Sequence, residues 1–362
     1  MATITYKCPS CGSPLTFDGN SKEMACSSCG SQFEVEALKQ AMEIEKESDN
    51  FKEGTSWRAK DESFSDEELD RTRTFNCSSC GAQLITDETT VATECAFCGS
   101  PSIIPAQFTP GTRPDSVIPF KIGKDKAVEL FKNYFKNKKL LPNLFKKNNQ
   151  IDDIRKLYVP YWLFSCTADA DITYSAKKVN TFTRGNYRIT QTRHFRVRRA
   201  GTVDFKDLPV DASEKTDNKL TESLEPYNVG DALPYVPEVL SGAQASRADV
   251  SIEDSKKRAD ERIAQSMQNE FRSTVLGYES VVPISTKINV PDGTCYPALY
   301  PMWLITTKKD DKTYTFAING QTGQLTCDIP MSIPKAIGWF LGIFAGSSII
   351  ITFIMSLILQ FR

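Results

Sequence analysis

Cys8-Pro-Ser-Cys11 is followed after fourteen residues by Cys26-Ser-Ser-Cys29, and Cys77-Ser-Ser-Cys80 after fourteen residues by Cys95-Ala-Phe-Cys98. All four cysteines of the second set lie 69 positions beyond those of the first, and Gly12, Leu15 and Gly30 recur as Gly81, Leu84 and Gly99. The chain therefore carries one small module twice. A Cys-x-x-Cys turn offers two thiolates to one ion, and amide N–H groups within the turn stabilise their charge. Two such turns on short hairpins close a tetrahedral four-thiolate site, and the glycine after each turn relieves the backbone where it reverses. Four protein ligands leave no position open for substrate, so Zn2+ held this way is structural rather than catalytic. The expected ligands are Cys8, Cys11, Cys26 and Cys29 for one ion and Cys77, Cys80, Cys95 and Cys98 for a second. Disulfides suit oxidising compartments, and a thioredoxin-like redox pair needs a βαβ context that the sequence lacks. Iron stays open beside zinc, because Cys-Pro-x-Cys-Gly turns also hold iron and spacing separates the two metals poorly.

Each module resembles a zinc ribbon of the type named for transcription factor IIB. Ribbons bind DNA, RNA or protein, so the resemblance does not name the partner. Composition bears on it: residues 1–40 hold three Lys against four acids, and residues 71–100 two Arg against three acids. Neither module carries the Lys/Arg face that phosphate binding needs, so a protein partner is expected and nucleic acid is not.

The 362 residues include 44 Lys+Arg and 45 Asp+Glu, a formal net charge of -1, which excludes a generally basic nucleic-acid coat. At 40% apolar and 25% charged residues, the chain is not disordered overall. Its one histidine, His194, excludes every metal or catalytic site that needs two imidazoles. Charge is uneven: residues 1–70 hold 7 bases and 15 acids, whereas residues 101–200 hold 20 bases and 7 acids. Arg193, Arg196, Arg198 and Arg199 form the densest basic cluster and are the candidate contact for an anionic surface.

From Ala336 to Leu359 there are 24 residues without a charge. As a helix they would span about 36 Å, enough for a hydrocarbon core of ~30 Å with some tilt. This predicts a single-pass C-terminal anchor in the cell membrane. No apolar signal-peptide core opens the sequence, and the cysteine pattern suits a reducing compartment, so the bulk of the chain is expected on the cytoplasmic side. Gly338, Gly342 and Gly346 repeat every four residues, a pattern that lets two membrane helices approach closely and suggests self-association.

The expected class is α+β: two N-terminal zinc ribbons, an antiparallel-sheet-rich domain and one transmembrane helix. The expected division is 1–33 for the first ribbon, 34–73 for an acidic linker, 74–104 for the second ribbon, 105–119 for a proline-rich linker, 120–330 for the soluble α+β domain and 336–359 for the membrane helix. Within the acidic linker, 34–47 suits a helix and 48–70 reads as flexible. Prolines at 101, 105, 110, 114 and 119 read as a semi-extended spacer. Lys124–Leu141 has the spacing of an amphipathic helix packed on a core. Residues 158–164, 171–179, 187–198 and 202–205 read as strands, with Tyr187, Ile189, Phe195 and Val197 on buried faces. Ser251–Val275 reads as a helix whose stripe Ala259, Ile263, Met267, Phe271 and Val275 packs a core. Pro160, Trp162 and Leu163 recur as Pro301, Trp303 and Leu304, which suggests a second internal duplication. Residues 314–318 and 324–329 read as a hairpin around a Gly-dependent turn. Cys166, Cys295 and Cys327 lack paired spacing and read as ordinary thiols.

Duplicated ribbons, a Pro-x-Trp-Leu domain, Phe316-Ala-Ile-Asn-Gly-Gln-Thr-Gly323 and a terminal apolar span occur together here. The combination resembles the bacterial family of zinc-ribbon-containing membrane proteins found largely in Firmicutes. The likeness is strongest around Glu225-Pro-Tyr227, Leu240-Ser-Gly242 and Asn319–Gly323. Members are often encoded near PspA-type and SPFH-type membrane-stress proteins, so the resemblance implies a role at the envelope and partners of that kind. The label of primosomal helicase carried by some members finds no Walker motif here. The reading is a non-enzymatic, tail-anchored adaptor that recruits protein partners to the membrane in a stress response. A membrane-tethered nucleic-acid-binding or regulatory protein is the first alternative, and a Zn-thiolate redox sensor the second.

Overall fold

The structure is a computed structural model that describes residues 8, 13–18, 23–36, 38, 56–60, 62–90, 92–106, 112–137, 154–309, 312–327 and 333–360. The expected ligand Cys11 lies outside the described residues, as do 39–55, most of the expected helix 34–47 and the end of the helix expected to reach Leu141. The chain is α+β and divides into two compact units. One is Met1–Lys60 with Trp162–Val210 and Ile252–Tyr296; the other is Asp61–Tyr161 with Asp211–Ser251 and Pro297–Arg362.

In the first unit, β1 (Leu15–Asp18), β2 (Glu23–Cys26) and β3 (Gln32–Phe33) form a small antiparallel sheet, with Leu15 opposite Cys26 and Met24 opposite Phe33. Leu15, Met24, Phe33 and Leu38 bury a small core around Cys8 and Cys26, closed by Val282. Next comes β4 (Ser56–Ala59), parallel to the opening residues of β14 (Asp292–Lys309). Its Trp57 is buried, edge-on to Phe164, and Gly293 leaves the room: a Cβ there would lie 2.2 Å from the indole. Part of the acidic stretch expected to be flexible is thus a strand, fixed by one indole that the surrounding charge conceals.

The longest elements are β9 (Arg155–Arg184) and β10 (Tyr187–Asp211), joined as a hairpin through Gly185 at φ +60°. They replace the four separate strands expected from breaks in alternation. β13 (Ser280–Asn289) pairs with β9 from Asp169 to Lys177. Ala168, Ala170, Ile172, Tyr174 and Ala176 point into the core at every second position, as strand alternation requires. One helix, here α4 (Ile252–Ser273), buries Ala259, Ile263, Met267 and Phe271 as its i+4 stripe predicts. The expectation for β10 needs correction: Tyr187, Ile189 and Phe195 are exposed and Val197 is half-buried, because β13 and α4 both stop short of that end of the hairpin.

The second unit contains α1 (Asp66–Asp70), β5 (Thr72–Cys77), β6 (Gln83–Asp87), β7 (Ile103–Ala106), β8 (Ser116–Val117) and α2 (Lys124–Asn137), then α3 (Asn218–Glu222), β11 (Leu233–Pro234), β12 (Gln244–Ser246), β15 (Lys312–Asn319), β16 (Leu325–Cys327) and α5 (Ile333–Gln360). The short α1 sits in the acidic stretch because Ser65 and Glu68 cap it reciprocally. Its sheet order is β11-β8-β14-β9-β12-β6-β5-β7, with β15 and β16 continuing from β14. The proline-rich stretch is likewise not a spacer where described: β8 lies within it, and Val117 and Ile118 are buried. Ala127 and Phe131 turn α2 onto Trp303, Ile305, Phe316 and Ile318, the core-facing arrangement its pattern predicts. β15 and β16 form the expected hairpin, with Gly323 at φ +81°. The two Pro-x-Trp-Leu stretches fall on β9 and β14, where Trp162, Leu163, Trp303 and Leu304 are all buried.

Candidate metal centres

The second cysteine module is built by β5, β6 and the turns beside them. Cys77 ends β5, and the chain reverses through Ser78, Ser79 and Cys80 before β6. The Cys77 N–H donates to the Ala82 carbonyl (2.9 Å) and the Gly81 N–H to the Cys77 carbonyl (2.8 Å). The turn at Cys95 repeats this, with Cys95 N–H to Ser100 (2.9 Å) and Gly99 N–H to Cys95 (2.9 Å). Gly81 and Gly99 have φ of +72° and +71°, the left-handed conformation that admits glycine without strain.

These turns bring four thiols together. Cys77 Sγ lies 3.6 Å from Cys98 Sγ, Cys80 Sγ lies 3.7 Å from Cys95 Sγ, and all four sulfurs are within 4.8 Å of one another. A tetrahedron with metal–sulfur bonds of about 2.3 Å has edges of about 3.8 Å. A disulfide would need about 2.0 Å. The spacing therefore fits thiolates around a metal ion and does not fit sulfur–sulfur bonds. Burial opposes the Cys77 thiolate, but N–H groups of Cys80 and Ser79 and the thiols of Cys98 and Cys80 outweigh it and bring the thiol down to about 7. Burial pushes the Cys95 and Cys80 thiols up. Four thiols at this spacing could hold a metal ion, whose binding would displace their protons.

Sequence reasoning missed the residues that brace this cluster. Gln244, on β12, accepts from the Ala96 N–H (2.9 Å) and donates to the Glu94 carbonyl (2.7 Å), clamping the second turn. Lys215 Nζ donates to the Cys80 carbonyl (3.0 Å). Arg155 lies against Gly99, held by Glu94 (3.2 Å) and by the Thr306 hydroxyl (3.0 Å). A cation thus stands beside each turn of a cluster whose four thiolates and one divalent ion would carry net negative charge. No spacing rule links these positions to the cysteines.

In the first module Cys8 Sγ and Cys29 Sγ are 3.6 Å apart and Cys26 completes a group of three within 4.8 Å. The backbone pattern is the same: Cys26 N–H to Ser31 (2.9 Å), Gly30 N–H to Cys26 (2.9 Å) and Gly30 at φ +72°. Lys177 binds Glu23 (2.6 Å) and Glu34 (3.5 Å) beside it. Both groups of cysteines are close enough to bind a metal ion.

The remaining candidates separate clearly. Among the described residues one helix, α5, is long and apolar enough to cross a membrane: Pro334–Ser356 is 23 residues long and none of its apolar window is buried. Gly338 and Gly342 line a shallow groove on it with Lys335, Trp339 and Ile343, and a Cβ at either of them or at Gly346 would meet open space. Of the four arginines, Arg198 is paired with Asp171 (2.6 Å), Arg199 donates to Thr274 (3.1 Å) and Arg193 to Gln191 (3.5 Å), so two of them serve the hairpin's own attachment. Cys166 and Cys295 are buried thiols that burial pushes up to about 11 and about 12. Cys327 lies 3.1 Å from the Tyr134 hydroxyl.

No family model and no solved structure matches the chain. A Bacillus subtilis (strain 168) protein that bears the name "Uncharacterized protein YdjG" is 33% identical over 344 residues, 95% of each chain. On that identity and coverage the chain belongs to the family of YdjG.

Proposed function

We propose that the chain is a non-enzymatic adaptor held at the cell membrane by α5, with its bulk in the cytoplasm. Each cysteine module holds one structural Zn2+ as a zinc ribbon and presents a rigid surface to a protein partner. The observation that supports this best is the donor set at Cys77, Cys80, Cys95 and Cys98, four protein thiols at tetrahedral spacing that fill a zinc ion's coordination. Joined in one chain to a bare apolar helix, such a module serves confinement better than chemistry: tethering raises a partner's effective concentration at the bilayer. The family resemblance points to PspA-type or SPFH-type membrane-stress proteins as that partner.

The test is gentle detergent extraction of the full-length protein from its own membranes, with metal analysis and mass spectrometry of whatever co-purifies in stoichiometric amount. Zinc together with a membrane-stress protein is the expected result. Cys95→Ser with Cys98→Ser should lose that partner and leave membrane insertion intact. Retention of the partner by this variant, once metal analysis shows that the second module's ion is lost, would sink the adaptor reading. Co-purifying nucleic acid would favour a tethered nucleic-acid binder, and reversible metal release with disulfide formation under oxidant a redox sensor.

A further inference from the structure

Past Lys177 the β9–β10 hairpin runs beyond its strand and helix neighbours among the described residues, touched there by Glu279, which accepts from the Val179 N–H (2.8 Å), and by Tyr278, edge-on to Phe195. β13 pairs with β9 no farther than Lys177, opposite Ser280, and α4 ends at Ser273. Every residue from Lys178 to Arg196 is exposed. Three side-chain pairs define how the two strands face each other: Thr181 and Thr190 hydroxyls 3.3 Å apart, Thr202 hydroxyl to Asp169 at 2.8 Å and Thr167 hydroxyl to Asp204 at 2.7 Å. All three fit one register, in which Phe182 opposes Ile189 and Arg184 opposes Tyr187. Strand alternation then places Phe182, Tyr187 and Ile189 on the face that, nearer the body, buries Ala170, Ile172 and Tyr174. The apolar face simply continues past its cover: Phe182 is 45% exposed, Tyr187 77% and Ile189 36%.

Charge on this ribbon has one sign. Between Asp171 and Asp204 there is no Asp or Glu, and there are eight Lys and Arg. Two physical demands follow. The cations favour an anionic surface, and the cross-strand Phe182–Ile189 pair with Tyr187 favours a place to leave water. Duplex nucleic acid meets the first demand and offers little for an aliphatic–aromatic tip. An anionic bilayer meets both, since lipid phosphates attract Lys and Arg while amphipathic rings settle at headgroup level. The chain also carries, in α5, a helix long enough to bring it to a bilayer.

We infer that the tip of the β9–β10 hairpin is a second, reversible membrane contact that docks on anionic phospholipid. Arg184, Arg188, Arg193 and Arg196 engage lipid phosphates, and Phe182, Tyr187 and Ile189 enter the interfacial layer. Docking of this kind does not require that the cysteine modules recruit a partner.

The probe is the full chain carrying Tyr187→Trp, placed in lipid nanodiscs of phosphatidylcholine alone or of phosphatidylcholine with phosphatidylglycerol. Emission of the added indole is read against the unsubstituted chain, with brominated acyl chains as quencher. The expected result is blue-shifted, quenched emission in anionic discs, solvent-like emission in neutral discs and loss of quenching at high salt. Arg193→Gln with Arg196→Gln should lower the docked-to-free ratio roughly 30-fold, and Phe182→Ser with Ile189→Ser should abolish quenching. Solvent-like emission in both discs, or equal quenching in both, overturns the inference. So does a blue shift that an added oligonucleotide causes and anionic lipid does not. Incorporation into neutral discs reports on α5 separately. A chain that fails to incorporate is read in the same way on added anionic vesicles.

Discussion

Gly99 and Gly30 hold equivalent places in the two repeats and the same left-handed backbone, yet their surroundings differ. A Cβ at Gly30 meets nothing within 4 Å, whereas one at Gly99 would lie 2.3 Å from the Arg155 guanidinium. Alanine at either costs about 1–2 kcal/mol for the left-handed conformation. At Gly99 it must also displace an arginine whose side chain is only 8% exposed and bonded to Glu94 and Thr306. Gly99→Ala should therefore be the worse substitution by roughly 1–2 kcal/mol, seen as faster local hydrogen exchange in the metal-loaded protein. Equal losses at the two sites would show that Arg155 yields freely. Asp211 presents a different residue-scale test. Burial pushes its carboxyl up to about 7, although the Ser213 N–H and the Thr216 hydroxyl donate to it. The folded chain holds this proton more tightly than the unfolded chain does. The contribution is thus complete below the ordinary value of 3.8 and lost as pH rises through about 7. Asp211→Asn should flatten thermal stability between pH 5.5 and 8 where the native chain loses on the order of 2 kcal/mol. An unchanged pH profile would place the titration elsewhere.

The two cysteine modules share a sequence pattern but not a way of being held. β1, β2 and β3 form a sheet of their own, and the core they close is a handful of side chains around Cys8 and Cys26. A core that small stabilises little without its staple. In the second module β6 pairs with β12 as well as β5, and Leu84, Ala82 and Ala96 are fully buried. A strong chelator should therefore unfold the first module and leave the β5–β6–β12 pairing protected. Amide exchange at Met24 and Phe33 should rise by orders of magnitude, while exchange at Leu84 and Ile85 changes little. Equal deprotection of both modules would overturn this. Part of the site was legible from residue order alone, because a Cys-x-x-Cys-Gly turn is a local object and its repetition at constant offset leaves few other meanings. The helices α2 and α4 were legible for the same reason: Ala127 and Phe131, or Ala259 and Ile263, are neighbours on one turn. What stayed hidden was long-range. Ala245 sits between Tyr158 on one side and Ile85 on the other, and nothing near position 245 announces either partner. Gln244, Lys215 and Arg155 reach the cysteines only through those pairings. The exposed end of the hairpin was misjudged because alternation reports which residues share a face, never whether anything covers it.

Each of the two units is assembled from three separate stretches of chain, so a division at composition shifts such as the prolines between 101 and 119 does not reproduce them. Composition marks where a chain changes character, whereas compactness follows strand pairing, which ignores sequence order. The segment that composition describes best is α5, because length and an apolar run alone make it a candidate to cross a membrane. None of its apolar window is buried, and Phe340, Ile343, Phe344, Ile349 and Ile350 are each 60% exposed or more. In water such a helix would leave a long apolar surface uncovered at about 25 cal/mol per Å2, which no surface helix sustains. One substitution separates the two environments. On a helix in water, Ile349→Arg replaces an exposed apolar residue by a charge and should improve solubility. At the middle of a bilayer the same change costs about 2.5–3.5 kcal/mol of insertion free energy. The native chain should resist alkaline carbonate extraction and leave the membrane only with detergent, Ile349→Arg should shift a measurable fraction into the carbonate-soluble phase, and a chain lacking residues 333–362 should be released completely by carbonate, which strips the reversible hairpin contact. Insertion unaffected by the arginine, or a truncated chain that carbonate fails to release, would show that α5 is not what holds the protein there.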